Sequence, residues 1–410
     1  MCLRYVNRIR KWKFLMLLGL IMMIAFMRAI WSSLRPDPLP LSEFDKCPAC
    51  YGLSVCDEIV KGNIKITPFG LYSAVAHVIA SKNVFFGTMG QTRVVLKKLA
   101  HSYELRALDE VICGNKSFSG LCPGHRSTAK YESDVNFRSL VIRAITSSFL
   151  VPDASSLRLC PNAHHFDKLF ENIYANDFDH KDIYLWTLIS VNPEPLVLQI
   201  LPAEEGWPVP KYLGACGRLV VVEYIGSPLT AYYNEPWMRR AKIAASLLAA
   251  AKMFTFRDPD FGFYLTDLTP DNIAVTEDDE AKFIDLENII IVDKNISFND
   301  RSETWDQMQA NDESIECRNC LAFSPEDICN HRISDHNYYA ICQHILSDKT
   351  SATSVAGGFL HSIPIHILEK YSDLIDILDQ CAAPVFRRYE RTIYGDKLKE
   401  ILDKIVKDTG

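Results

Sequence analysis

The sequence predicts an α+β fold of two lobes, with a helical insertion in the amino-terminal lobe and a membrane-anchor or signal helix ahead of it. Three observations predict it. Short β-rich runs precede a long Ala- and Leu-rich helical stretch at residues 237–256. Two carboxylates and an amide, Asp267, Asn272 and Asp285, fall at the ends of short strands within Tyr264-Leu-Thr-Asp-Leu-Thr-Pro-Asp-Asn-Ile273 and Lys282-Phe-Ile-Asp-Leu-Glu287. Arg4, Arg8, Arg10, Lys11 and Lys13 stand before an uncharged apolar run at residues 14–27.

A chain of 410 residues with 48% hydrophobic content can bury a large core and has room for two lobes plus additions. Its net charge of -7 is spread without long like-charge blocks, so it carries no nucleic-acid footprint. No solenoid period or low-complexity tract occurs.

The basic flank assigns residues 1–13 to a cytosolic tail and sends the remainder across a membrane. The apolar run is short against the ~20 residues of a typical span. Arg28 can snorkel, extending the segment to residues 14–31. An uncleaved signal anchor and a cleaved signal peptide both stay open; the lack of a clear small-x-small site after Met27 favours the anchor.

Cysteine usage agrees with export. Of 13 cysteines, setting aside Cys2 leaves an even number for pairing in an oxidising lumen. Cys47-Pro-Ala-Cys50 with Cys56, and Cys317-Arg-Asn-Cys320 with Cys329, also suit zinc or a redox pair, although each cluster is one ligand short of a zinc site. The sequons at Asn115 and Asn295 allow N-glycans in the same compartment.

Pro36, Pro38 and Pro40 open a Cys-rich stem at residues 32–66. The amino-terminal lobe is read as residues 67–225, starting with a helix at 69–80. A hairpin follows, Val84-Phe-Phe-Gly-Thr-Met-Gly90 into Arg93-Val-Val-Leu-Lys-Lys98, whose Gly87 and Gly90 would let backbone amides approach phosphate oxygens. Alternation puts Val95 and Lys97 on one face and Lys98 outward. The apolar spacing of residues 101–113 predicts a helix carrying Glu104 and Glu110.

Residues 114–191 read as an insertion with helices near 165–174 and 181–189, the adjacent His164 and His165 forming a solvated helix start. Buried strands are predicted at residues 195–201 and 218–225, the second ending in Glu223-Tyr224 before Gly226-Ser-Pro228. Residues 226–410 form the second lobe. There an acidic turn at residues 277–280 lacks the spacing of a calcium loop, and the hairpin around it delivers Asp285.

Asp267 and Asn272 are five residues apart, and Asp285 follows Asp267 by eighteen. Both order and spacing resemble the protein-kinase pair H-R-D-L-x-x-x-N and D-F-G. Leu265 and Thr266 stand where that family has His and Arg, and Glu287 stands where it has Gly. Val94-Val-Leu-Lys97 resembles the V-A-I-K strand, and the Glu223 strand end looks like the hinge that grips adenine through backbone groups.

The resemblance implies a two-lobed protein-kinase-like fold. It makes Asp267 the group that orients or deprotonates a hydroxyl, Asn272 and Asp285 the ligands of Mg2+ or Mn2+ on ATP, and Lys97 the phosphate contact. Glu104 is then the partner of Lys97, with Glu110 the alternate, and Asp335 is the buried aspartate that accepts bonds from the catalytic-loop backbone.

Asn192-Pro-Glu-Pro-Leu-Val-Leu-Gln199, Glu205-Gly-Trp-Pro208, Lys211-Tyr-Leu-Gly-Ala-Cys-Gly-Arg218 and Asp335-His-Asn-Tyr-Tyr339, with Cys47-Pro-Ala-Cys50 and the basic tail, are similar to the divergent protein kinase domain family, deleted-in-autism-like branch. This implies a kinase-like protein of the Golgi or ER lumen, held as a single-pass type II membrane protein or secreted. Its partners would be nucleotide and a lumenal or secreted protein acceptor. A pseudokinase serving as a ligand for a cell-surface receptor, or as a scaffold, is the alternative.

Overall fold

The computed structural model describes residues 16–24, 36–68, 84–114, 122, 142, 157–171, 181–311, 321–347, 357–385 and 390–409. Its strands in chain order are β1 (Ile64–Ile66), β2 (Val84–Met89), β3 (Thr92–Lys97), β4 (Arg158–Leu159), β5 (Tyr212–Cys216), β6 (Leu219–Glu223), β7 (Ser227–Pro228), β8 (Phe261–Tyr264), β9 (Ile273–Val275), β10 (Ala281–Phe283) and β11 (Ile290–Asp293), with short β12 (Met308–Gln309) and β13 (Ile333–Ser334) after them. The helices used below are α1 (Ser102–Gly114), α2 (Lys181–Ser190), α3 (Glu194–Ile200), α4 (Trp237–Lys252), α5 (His336–Tyr339), α6 (Leu374–Ala382) and α7 (Glu390–Thr409).

The amino-terminal lobe is one antiparallel sheet in the order β1-β2-β3-β6-β5. Alternation sends Phe85, Val94, Leu96, Leu219 and Val221 to one face, where they pack with Val55, Ile59, Ile64 and Ile66. Val95, Val220 and Val222 turn the other way, onto the main core, and Lys97 lies in step with them.

Residues expected as a stem pack on this sheet. Tyr51 N–H donates to the Gly217 carbonyl and Gly217 N–H to that of Gly52, both at 2.8 Å. Arg218, 2% exposed, donates to the carbonyls of Ala49 and Lys46 and pairs with Glu43 and Asp109. A buried guanidinium holding four partners fixes the segment far more firmly than an extended proline-rich tether would be held.

Five disulfides join described cysteines: Cys47–Cys50, Cys56–Cys216, Cys113–Cys122, Cys160–Cys329 and Cys342–Cys381. The zinc reading of Cys47, Cys50 and Cys56 falls, because all three sulfurs are bonded to sulfur. Cys329 is bonded to Cys160, and Cys317 and Cys320 lie outside the described residues.

Residues 195–201, expected as a strand, are helix α3. An apolar run this short does not distinguish the two by periodicity. Pro193 and Pro195 at its first turn and the Asn192 side chain, which accepts from Glu194 N–H at 3.0 Å, start a helix. The helix expected at 69–80 lies outside the described residues, as does most of 114–156. Of the apolar segment at 14–31 only residues 16–24 are described, as helix, and no helix among the described residues is long and apolar enough to cross a membrane.

In the second lobe α4 is buried along its length. Ala241, Ala244, Ala245, Ala250 and Ala251 leave room for α7 and β10 to approach closely. The helix widens to π turns over Met253–Arg257 and leads into β8, which pairs antiparallel with β11. β7, β9 and β10 form a second small sheet below the hinge.

Candidate functional site

The loop after β8 carries Asp267, and its backbone is held from beneath by α5. Leu265 N–H donates to Asn337 Oδ1 at 3.0 Å, and Asn337 Nδ2 donates to the Phe263 carbonyl at 2.8 Å. His336 Nε2 donates to the Leu265 carbonyl at 2.9 Å, so Nδ1 accepts from Asn311 Nδ2. Burial pushes the His336 pKa down to about 4, so the ring is neutral. Asp335 does not take the role expected of it: its carboxylate accepts from Asn311 N–H and pairs with Arg391, and the loop backbone is bonded by His336 and Asn337 instead.

Asp267, Asn272 and Asp285 line one recess together with Thr266 and Asn288. Asn272 is held there twice: Nδ2 donates to the Asp267 carbonyl at 3.1 Å, and its backbone carbonyl accepts from Ile284 N–H at 2.9 Å. That second bond fixes the end of β10, from which Asp285 emerges. Desolvation in the recess, then the Asp285 charge, raises the Asp267 pKa above the usual carboxylate range. No described hydrogen bond or ion pair satisfies the Asp285 carboxylate, and an oxygen-rich recess with an unpaired carboxylate and an amide oxygen suits a hard divalent cation.

Lys97 ends β3 and is 9% exposed. Its Nζ donates to Glu194 Oε1 at 2.6 Å and to the Ile284 carbonyl at 2.6 Å. One ammonium therefore joins the sheet, α3 and the residue before Asp285. Burial lifts the Glu194 pKa to about 7 against the opposing pull of Lys97, with Asp285 adding to the rise.

Glu194 displaces both glutamates expected as the partner. Glu104 Oε2 accepts from His101 N–H at 2.6 Å and so caps its own helix, in the manner of a capping box. Glu110 is exposed on α1, whose inward face is Leu105, Leu108 and Ile112. The lysine instead reaches a glutamate about a hundred residues further along the chain.

The two hairpin glycines are also corrected. Val84 lies opposite Lys97 and Met89 opposite Thr92, so Gly90 sits in the turn at the far end of the strands from the lysine, with φ +62°. A Cβ on Gly87 would fall 2.4 Å from the Lys65 carbonyl, so that glycine admits β1. The connection that arrives beside Lys97 is residues 67–83, of which only 67 and 68 are described.

At the hinge Glu223 Oε2 accepts weakly from Lys211 N–H at 3.4 Å, leaving backbone groups as what that strand end offers a base. Gly226 is needed for close approach, since a Cβ there would fall 1.9 Å from the Val275 carbonyl.

Sequence reasoning missed Asn192 and Glu194. A polar pair set between prolines, ahead of an apolar run, was the available signal. Asn192 is fully buried, and its Nδ2 donates to Glu287 and to the Leu99 carbonyl, the latter at 3.1 Å. Glu287, raised in pKa by burial and by Asp285, is held by that bond. Behind them lies the Tyr51 hydroxyl, buried and without a hydrogen-bond partner among the described residues; burial first, then the charges of Glu104, Glu194 and Glu287, raises its pKa.

The family model described as the protein-kinase domain of FAM69 matches residues 185–384. Divergent protein kinase domain 2A of Xenopus tropicalis is 34% identical over 406 residues, covering 94% of this chain and 93% of the relative. The human protein of that name is 34% identical, over 88% of this chain and 87% of its own. Human divergent protein kinase domain 2B is 26% identical over 86% of this chain and 87% of its own. With the lysine, its glutamate and the Asp267–Asn272–Asp285 recess in one fold, the chain belongs to the divergent protein kinase domain family.

Proposed function

We propose that the cleft between the two lobes binds ATP with Mg2+ or Mn2+, and that phosphoryl transfer goes to hydroxyl groups of lumenal or secreted proteins. One observation carries the reading: Lys97 is bonded at once to Glu194 and to the carbonyl that precedes Asp285. A lysine so held presents its charge toward phosphates, and Asp285 and Asn272 would hold the cation. The cation, when bound, offsets the charge of the phosphate oxygens. Asp267, raised in pKa, orients the acceptor hydroxyl and takes its proton.

A second reading, a nucleotide-binding scaffold or ligand without transfer, has specific support. Leu265 and Thr266 stand where protein kinases have His and Arg, and Thr266 Oγ1 is spent on the Asn288 carbonyl. Passage through the secretory pathway, with residues 14–31 as anchor or signal, is supported by the bonded cysteines.

The test is thermal denaturation of the folded chain with ATP and Mg2+ or Mn2+, beside Asp285→Ala. A metal-dependent rise in wild type alone supports the site. If neither protein responds, the nucleotide reading is lost. Labelled phosphate transfer to secreted proteins then separates kinase from scaffold.

A further inference from the structure

Asn192 uses its whole side-chain amide in the interior. Both Nδ2 hydrogens are spent, on Glu287 and on the Leu99 carbonyl, and Oδ1 accepts from Glu194 N–H. These partners belong to three separate pieces of the site: Leu99 follows the strand of Lys97, Glu194 begins α3, and Glu287 lies two residues past Asp285. Lys97 binds the same three pieces through Glu194 and Ile284. Two side chains thus tie one joint twice.

We infer that Asn192 and Glu287 form a positioning clasp that keeps the Lys97–Glu194 pair closed, so that α3 does not swing to open or close the site. Movement of α3 away from the sheet would strand a buried amide donor and leave a half-buried carboxylate unpaired, which costs the amide its full desolvation and the carboxylate part of its own. Asn is suited to this position because Asp lacks the donors and Leu lacks both functions. Glu287, where protein kinases have a glycine, is then a tie and not a cation ligand. Tyr51 stands behind the clasp, brought there by the loop that Cys47–Cys50 closes and Arg218 grips.

The significance of the clasp for ligand binding rests on the proposed nucleotide site, but its test does not need nucleotide. Hydrogen exchange of the α3 amides and acylation of Lys97 are measured on the folded chain for wild type, Asn192→Asp, Glu287→Gln and the double variant. Asn192→Asp loses its donors and sets a second carboxylate against Glu287. Its α3 amides should exchange, and Lys97 should acylate, about tenfold faster or more. In the double variant the amide introduced at position 287 can donate to the carboxylate introduced at position 192. Protection should then return toward wild type, which a mere loss of packing would not allow.

Should Asn192→Asp fail to fold, Glu287→Ala serves in its place, with faster exchange and acylation expected. Unchanged exchange in Asn192→Asp or Glu287→Ala, or a double variant no better than Asn192→Asp, overturns the clasp. Absence of ATP binding by wild type sinks the nucleotide reading and leaves this test intact.

Discussion

Lys97 Nζ lies 2.6 Å from Glu194 Oε1, with a sequence separation of 97 residues, and both groups are nearly cut off from water. Replacing Glu194 by Gln removes the charge that aims the lysine, so ATP affinity should fall about tenfold or more, the worth of a charge-assisted buried bond. Glu104→Gln should leave affinity unchanged and cost at most about 1 kcal/mol from the helix cap. Titration calorimetry on both variants decides which glutamate serves Lys97.

Asp285→Asn should abolish the metal-dependent thermal shift, because the recess loses its unpaired carboxylate. Asp267→Asn should keep the shift while transfer falls on the order of a hundredfold, the usual weight of a general base. Equal shifts in wild type and Asp285→Asn would remove the cation from this recess.

Two buried groups bend stability with pH in opposite senses. His336 has its pKa lowered from 6.5 to about 4, so its share of stability is present above pH 6.5 and is lost as pH falls toward 4, at most roughly 3 kcal/mol. Glu194 has its pKa raised from 4.5 to about 7, so the folded state holds the extra proton and its share declines as pH rises through that window. Urea denaturation from about pH 4 to about pH 8 should show a shallower acid limb in His336→Gln. Glu194→Gln should lose the decline toward neutral pH. Curves parallel to wild type would contradict both assignments.

Cys56–Cys216 spans 160 residues and Cys47–Cys50 only 3. Loop-closure entropy makes the first the stronger constraint on the unfolded chain. Paired Cys→Ser variants should lose about 5 kcal/mol for the long loop and about 2 kcal/mol for the short one. Non-reducing guanidinium denaturation measures both, and a reversed order would show that native-state strain dominates.

Asn295 and Ser297 are exposed on the turn after β11, with Ile296 buried between them. If the chain is exported, secretory expression should yield a form that an amide-cleaving glycosidase shifts, and Asn295→Gln should lose the part of the shift due to this site. An unshifted wild type would count against lumenal routing.

The order and spacing of Asp267, Asn272 and Asp285 sufficed to point to a protein-kinase-like loop, because that loop is local: a few residues between short strands set its geometry, and the sequence spells them in order. The hairpin of Lys97 and the long helix at 237 were legible for the same reason, since alternation and helical period are properties of neighbouring residues. The glutamate facing Lys97 was not, because an insertion separates the two and several acidic residues met the same local criteria.

The partners of Asp335, the pairings of Cys56 and Cys329, and the helix at Glu194 were equally hidden. Each depends on what arrives from a distant segment. By itself the sequence determined the order and spacing of the polar residues Asp267, Asn272 and Asp285 and most of the elements that present them. Only the tertiary structure decided which carboxylate meets the lysine and which strand or turn each glycine serves, because burial and closure of long loops select among groups that are equivalent along the chain.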